Sequence, residues 1–110
     1  MGRYITTTGT AATVAREFSA NANIEVNDRC LADTSGGAFT LTLPASASLL
    51  VNDSVQFIDV TGSFGVNNLT VARNGAKIQS LDEDLLLDIN NSAVTLIYTG
   101  STYGWVISGT

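Results

Sequence analysis

The sequence contains no histidine, and this limits the chemistry open to the chain. Imidazole is the commonest general base, a frequent metal ligand and a member of every Ser-His triad. The single cysteine, Cys30, therefore has no histidine to activate it, and it lies in a predicted strand at 25–32, where a thiol usually packs as a small apolar group. We expect Cys30 to be a core residue and the protein not to be an enzyme.

The densest group of ionisable side chains is acidic, namely Asp82, Glu83 and Asp84, with Asp88 four residues later. Carboxylates at this density could hold a calcium ion through oxygen ligands. The spacing does not fit the helix-loop-helix calcium template, because leucines occupy positions where a ligand and a glycine are needed. Paired carboxylates also serve glycosidases, but no aromatic cleft residues accompany these. The cluster predicts a solvated turn, and we expect no metal and no cofactor.

Aromatic side chains near the carboxyl terminus could form a sugar-stacking platform or anchor an interface. They are Tyr98, Tyr103 and Trp105. Packing in the core is the alternative, and it is favoured for Trp105 by its small and apolar neighbours. A receptor- or glycan-binding module would use loop residues such as Tyr103 and Asn67. Tyr103 and Trp105 are retained as candidate interface residues.

The polar surface is weakly charged, and its charge is negative. Thr, Ser and Asn together number 33 against 15 charged residues, and the net charge is -5. Binding to nucleic acid or to an anionic membrane needs clustered basic residues, whereas the five here are scattered. No intrachain disulfide can form, and neither a signal peptide nor an apolar run of ~18–20 residues is present. We therefore expect synthesis in the cytosol, with no nucleic-acid or membrane partner.

Apolar and polar residues alternate with a period of two along most of the chain, which is typical of β-strands. At 38–43 the pattern places Phe39, Leu41 and Leu43 on one face. Val94, Leu96 and Tyr98 alternate in the same way, as do Tyr103, Trp105 and Ile107, and Leu69 and Val71 precede Asn74-Gly75. That dipeptide predicts a hairpin, with Ile78 and Leu81 on the returning strand.

Two segments are harder to interpret. At 54–60 the apolar side changes between Phe57 and Ile58, which a strand buried on both faces or a bulge would explain. Residues 85–89 predict a short buried strand. With turn residues between seven or eight such strands, we expect an all-β fold: a single antiparallel β-sandwich or barrel, jelly-roll-like, spanning 23–110.

Residues 1–22 differ in character and predict an extended N-terminal arm. The segment Tyr4, Ile5, Thr6, Thr7 and Thr8 has β propensity but little to bury. An arm that pairs with the sheet edge of another chain would account for it, and a frayed terminus is the alternative. These five residues are candidate interface residues.

Five segments in one order resemble small β-modules of tailed-bacteriophage virion proteins, including capsid decoration proteins and tail-fibre segments. They are the strand-turn-strand at 31–44, the strand at 53–59, the Asn-Gly segment at 67–75, the acidic-leucine segment at 83–88 and the closing segment at 95–105. One departure is Asn52, where we would expect glycine, although both residues fit a turn. The resemblance implies a virion structural role, commonly as a homotrimer, and it carries over no catalytic residue.

Length separates the two virion roles. Tail fibres usually bear such a module inside a longer chain, whereas this sequence starts at Met1 and ends just after its last predicted strand. We therefore expect a capsid decoration protein that is made in the host cytoplasm, binds the major capsid protein and lies on the capsid surface. A fibre or receptor-binding module is the alternative.

Overall fold

The computed structural model describes residues 14–109. Its strands are β1 (Val14–Phe18), β2 (Ala22–Asn23), β3 (Asp28–Ala32), β4 (Phe39–Thr42), β5 (Ser54–Asp59), β6 (Leu69–Ala72), β7 (Leu85–Leu87), β8 (Ala93–Tyr98) and β9 (Trp105–Gly109), with one 3-10 turn at Ser46–Ser48. Sheet A has the order β1-β3-β5-β8-β9, and sheet B has the order β2-β4-β6-β7. The mainly-β fold predicted from the sequence is confirmed. Over 14–109, no helix has the length and apolar character needed to span a bilayer.

The chain crosses between the two sheets with each of its first six strands. β1, β3 and β5 lie side by side in parallel in sheet A, and β2, β4 and β6 do so in sheet B. Each consecutive pair of strands, one in each sheet, is therefore one turn of a coil, as in a β-solenoid. We call β1–β2, β3–β4 and β5–β6 the first, second and third turns.

The last three strands reverse direction and cover the third turn. β7 pairs antiparallel with β6, β8 with β5, and β9 with β8. The connection at 73–84 then covers the outer edge of β9. Trp105 N donates to the Lys77 carbonyl at 2.8 Å, Gln79 N donates to the Trp105 carbonyl at 2.7 Å, and Ile107 N donates to Gln79 Oε1 at 2.8 Å.

A single core lies between the sheets and takes alternate residues from nearly every strand. Trp105 is the largest fully buried side chain, and its ring meets Tyr98 edge-on at 5.5 Å between centroids. The alternation predicted at 38–43 and 94–98 is confirmed. The buried apolar side chains there are Phe39, Leu41, Leu43, Val94, Leu96 and Tyr98.

The predicted antiparallel pairing is wrong for the strands of the coil, where all four pairings are parallel, and the sheets of the described chain do not close into a barrel. A period of two indicates which side chains face the core, but not which strand lies alongside or in which direction. Because the chain visits sheet B between successive strands of sheet A, each strand re-enters its sheet from the same end. Parallel pairing follows from that route.

The Asn74-Gly75 turn is present, but the hairpin predicted from it is wrong. Asn74 and Gly75 have φ values of 46° and 98°, as the turn requires. β6 pairs with β7 only after a long connection, so the two strands do not flank the turn directly. Ile78 is buried and Leu81 is exposed, and they form an isolated bridge with each other instead of a returning strand.

Most of the predicted N-terminal arm, including Tyr4, Ile5, Thr6, Thr7 and Thr8, lies outside the described residues. Of the remainder, Val14–Phe18 form β1, which pairs in parallel with β3, and Ala22 begins β2. The described end of the segment is thus the edge strand of sheet A. β1 and β2 together form the first turn of the coil, so this part of the segment belongs to the folded domain.

Candidate interaction surfaces

The outward-facing side chains of sheet A include two apolar rows. The strand register places Leu31 beside Ile58 and Ile58 beside Ala93. A second row pairs Ile97 with Val106. All five are half-buried by their neighbours, although no further layer of the described chain covers them. We call these five residues the outer face of sheet A.

The outward-facing side chains of sheet B are mainly threonines. Thr40 lies beside Thr70, and Thr42 lies beside Ala72. Leu86 is the one large apolar side chain on the outward side of the four described strands, at the edge strand β7, and it is 52% exposed. The two broad faces of the molecule therefore differ in chemistry: the face of sheet A carries two aliphatic rows separated by the polar row of Arg29, Gln56 and Thr95, and the face of sheet B is mainly hydroxyl-bearing.

An open groove of about 440 Å³ lies at one end of the first apolar row. It is lined by Glu17, Phe18, Ser19, Leu31, Asp33 and Val60. The hydroxyl of Ser35 donates a hydrogen bond to the carboxylate of Asp33, and so does the backbone N–H of Ser35. Both bonds lower the pKa of Asp33, and that of the hydroxyl contributes more. An ionised rim beside aliphatic side chains suits the stem and charged end of a lysine or arginine from a partner.

The first turn of the coil has open strand edges. In the part of the chain from 14 to 109, no strand pairs with the outer edges of β1 and β2. Such edges can accept a further strand. They lie at the end of the coil opposite to the one that 73–84 covers.

A charged group closes the core at this open end. Arg16 Nη1 lies 2.9 Å from Asp28 Oδ2 and 3.7 Å from Glu25 Oε2, and the guanidinium lies over the Phe18 ring at 5.2 Å. Asp28 is only 2% exposed and also accepts a hydrogen bond from Glu25 N. Arg16 therefore neutralises a buried carboxylate and covers the ring that ends the core.

A buried carboxylate, Asp59, explains the break in alternation at the end of β5. Val55, Phe57 and Asp59 all face inward, so Ile58 faces outward and the strand has neither a bulge nor a switched side. Asp59 accepts hydrogen bonds from the backbone N–H groups of Ser63 at 3.0 Å, Phe64 at 3.1 Å and Asn91 at 2.9 Å.

These hydrogen bonds determine the charge state of Asp59. Burial alone would raise its pKa, but the backbone N–H groups that it accepts from outweigh burial and hold the pKa below its ordinary value. Asp59 is therefore an anion at neutral pH. It ties the loop at 60–68 to the loop between β7 and β8.

The loop residues suggested for glycan binding lie at opposite ends of sheet A. Tyr103 is 58% exposed and follows β8, whose carboxyl end lies beside Ser54 at the start of β5. Asn67 lies beyond the other end of β5, where its Nδ2 donates to the Thr34 carbonyl at 2.9 Å. The two side chains do not form one platform.

Of the two candidate interface residues that the structure describes, only Tyr103 is accessible. Trp105 is 0% exposed, as the core-packing alternative had it. Two exposed apolar residues, Leu50 and Val51, lie at the same end of sheet A as Tyr103. The hydrogen bond from Asn52 N to the Tyr98 carbonyl places their loop beside the end of β8 that leads to Tyr103. Tyr103 therefore belongs to a loop cluster rather than to a sheet face.

The acidic residues at 82–84 lie in the exposed connection between β6 and β7. Asp82 Oδ1 lies 3.4 Å from Arg73 Nη1, and Asp84 Oδ1 accepts a hydrogen bond from Arg73 N at 3.0 Å. Across 14–109, no three Cys, Asp or Glu side chains come together as a metal site would require. Two of the three carboxylates thus hold the arginine that follows β6.

Cys30 is fully buried in β3, and its thiol is predicted to be unreactive in the folded protein. Burial, followed by the charge of Asp28, raises the pKa of the thiol to about 12, with Arg16 opposing the shift. Since the thiolate is the reactive form, we expect a disulfide reagent to label Cys30 in urea-unfolded protein but at least ~100-fold more slowly in native protein. Equal labelling rates in both states would contradict this burial.

Sequence reasoning missed the outer face of sheet A and the role of Asp59. The signal for the first was present: Leu31 and Ile58 alternate with inward-facing residues, so the outward side of these strands carries apolar residues next to the polar Arg29 and Gln56. The signal for the second was the polar residue at the next inward position after Phe57. Side-chain period alone does not assign an acid to the core.

Comparison with known proteins adds no family. No protein-family model matches the sequence, and a search of curated proteins finds no significant match.

Proposed function

We propose that this protein is a non-enzymatic structural component of a tailed-bacteriophage particle. In this proposal it is a capsid decoration protein, bound as an oligomer, expected to be a homotrimer, to the outer surface of the shell. The observation that carries the proposal is the contrast between a broad face with two aliphatic rows and a threonine-rich broad face. Such a domain is suited to being covered on one side and hydrated on the other. The resemblance of five segments to virion β-modules is the reason for proposing a bacteriophage particle.

The proposed mechanism is stabilisation by mass action. A copy that contacts neighbouring major capsid subunits binds the assembled shell and not the separated subunits, so binding favours the assembled state. Contacts of ~800 Å² per partner, the size of a standard stable interface, would add up over many sites to stabilise the shell against the pressure of packaged DNA.

The proposed N-terminal arm can be tested by deleting residues 1–12. The deletion leaves β1 and every other described residue in place, so the circular-dichroism spectrum is expected to stay unchanged. If the arm adds main-chain hydrogen bonds to the shell, cosedimentation with purified shells should weaken at least ~10-fold. A glycine-serine segment of equal length is the matched control for chain length and should weaken binding equally. Undiminished binding of the deletion variant rules out the arm.

A tail-fibre module is the second candidate, and the open first turn favours it. The third turn is covered by β7, β8, β9 and 73–84, so the edges of β1 and β2 are the described edges at which the parallel coil could continue, since the other edge of sheet B is the antiparallel strand β7. Immunogold labelling of intact virions separates the two candidates. Label over heads supports decoration, label on tails supports a fibre, and particles without label overturn both.

A further inference from the structure

We infer that the outer face of sheet A, formed by Leu31, Ile58, Ala93, Ile97 and Val106, is the surface through which copies of this chain contact each other. The inference rests on the proposed function and deepens it, because it assigns the expected self-association to one face. The occupant of the face is a second copy of the chain.

The first argument is the composition of the face relative to its counterpart. Single apolar residues on a surface are ordinary, but contiguous apolar rows mark contact sites. Leu31, Ile58 and Ala93 form one unbroken row across three strands, and Ile97 and Val106 form a second row on β8 and β9. The polar row of Arg29, Gln56 and Thr95 lies between them. The equivalent positions on the inner strands of sheet B are filled by Thr40, Thr42, Thr70 and Ala72, of which the threonine hydroxyls are readily solvated, and the large apolar Leu86 stands alone on the edge strand β7.

The second argument is charge, which points to a copy of the same chain. The whole protein carries a net charge of -5, so two copies repel each other over most approaches. The outward-facing residues of the strands of sheet A include one acid, Glu17, and one base, Arg29, so this face has no net formal charge. Two such faces can meet without an excess of like charge, whereas a strongly basic partner would be drawn to other surfaces.

The third argument is area. The molecule measures 42 × 35 × 20 Å, and because stacked sheets lie ~10 Å apart, the short dimension is the one across the two sheets. A face of that breadth can supply the ~800 Å² per partner that a stable protein contact buries. In a two-fold contact one patch serves both partners and the assembly is a dimer, whereas the homotrimer that the resemblance implies would join this face to a different surface of the next copy.

The test compares matched arginine substitutions on the two faces. Ile58 and Thr70 are both half-buried and outward-facing, and each lies on an inner strand of its sheet. Sedimentation equilibrium of the wild-type protein is expected to show an oligomer. Ile58→Arg should raise its dissociation constant roughly 100-fold or more, because a charge would be buried without a partner, whereas Thr70→Arg should leave it within about threefold.

Each outcome decides the inference, and circular dichroism checks that the variants are folded. A wild-type protein that is monomeric at all concentrations overturns it, as does an oligomer that Ile58→Arg leaves intact or that Thr70→Arg weakens equally. If Ile58→Arg fails to fold, Ile97→Thr replaces it, since threonine is a good strand residue. Shell binding is measured separately. A face-dependent oligomer that binds no shell sustains this inference and defeats the proposed function.

Discussion

Replacing Gly104 by alanine is expected to lower the free energy of unfolding by about 4 kcal/mol or more. Gly104 is buried and has a φ of 73°, a conformation that alanine adopts only under strain. Its Cβ would lie 2.8 Å from the Cα of Lys77 and closer still to the carbonyl group of that residue. That carbonyl accepts the hydrogen bond of Trp105 N, so the substitution separates 73–84 from β9.

Urea denaturation of Gly104→Ala, followed by Trp105 fluorescence, measures the effect. Gly36→Ala is the matched control, because nothing lies within 4 Å of its Cβ and its φ is not positive. The control should change stability by no more than about 0.5 kcal/mol. Equal unfolding midpoints for the two variants would contradict the close approach at Gly104.

Replacing Asp59 by alanine is expected to cost about 3 kcal/mol or more, since three backbone N–H groups lose their acceptor in a largely buried site. Asp59→Asn keeps the shape and one acceptor oxygen. In the wild type Oδ2 accepts the hydrogen bonds of Phe64 N and Asn91 N, and Oδ1 accepts that of Ser63 N. The amide oxygen of asparagine can take the position of Oδ2 and keep two of these bonds, while its N–H₂ group faces Ser63 N. We therefore expect a smaller loss for asparagine than for alanine, measured by the same urea titration.

The Asp59 contribution is also expected to depend on pH. The pKa is lower in the folded protein than the ~3.9 of an unfolded aspartate, so the stabilisation is fully present above that value and is lost as pH falls through the folded pKa. The stability difference between wild type and Asp59→Asn should therefore shrink in acid. The exposed Asp88→Asn, with the same change of charge, is the control, and an equal effect of both variants at neutral pH would contradict the role of Asp59.

The sequence allowed individual strands to be predicted, because alternation reports directly on which side chains are buried. Strand β4 and strand β8 were predicted in this way, and so was the turn at Asn74-Gly75. Asn52 stands where the resemblance implies glycine, and its φ of 82° shows why both residue types fit there. These features depend on short-range preferences that a few residues carry.

Strand direction and the candidate surface could not be predicted in the same way. The route of the chain between sheets decides that β3 and β5 pair in parallel, and nothing local to either strand encodes that route. Leu31 and Ile58 become a row only once the register brings them side by side. The outward direction of Ile58 was also not predicted, because the inward position after Phe57 is filled by the acid Asp59, where an apolar pattern would predict a hydrophobic residue.

The crossing of the chain between sheets has a kinetic consequence. None of the first six strands pairs with its neighbour in sequence, so every backbone ladder of the coil joins segments that are far apart in the chain. Ladders of this kind form slowly, since the entropy of closing a long loop is lost before any pairing compensates it. β8 and β9 are joined by the short connection at 99–104, so their antiparallel pairing needs only a short loop to close. We therefore expect the antiparallel pair β8–β9 to form before the parallel ladders of the coil.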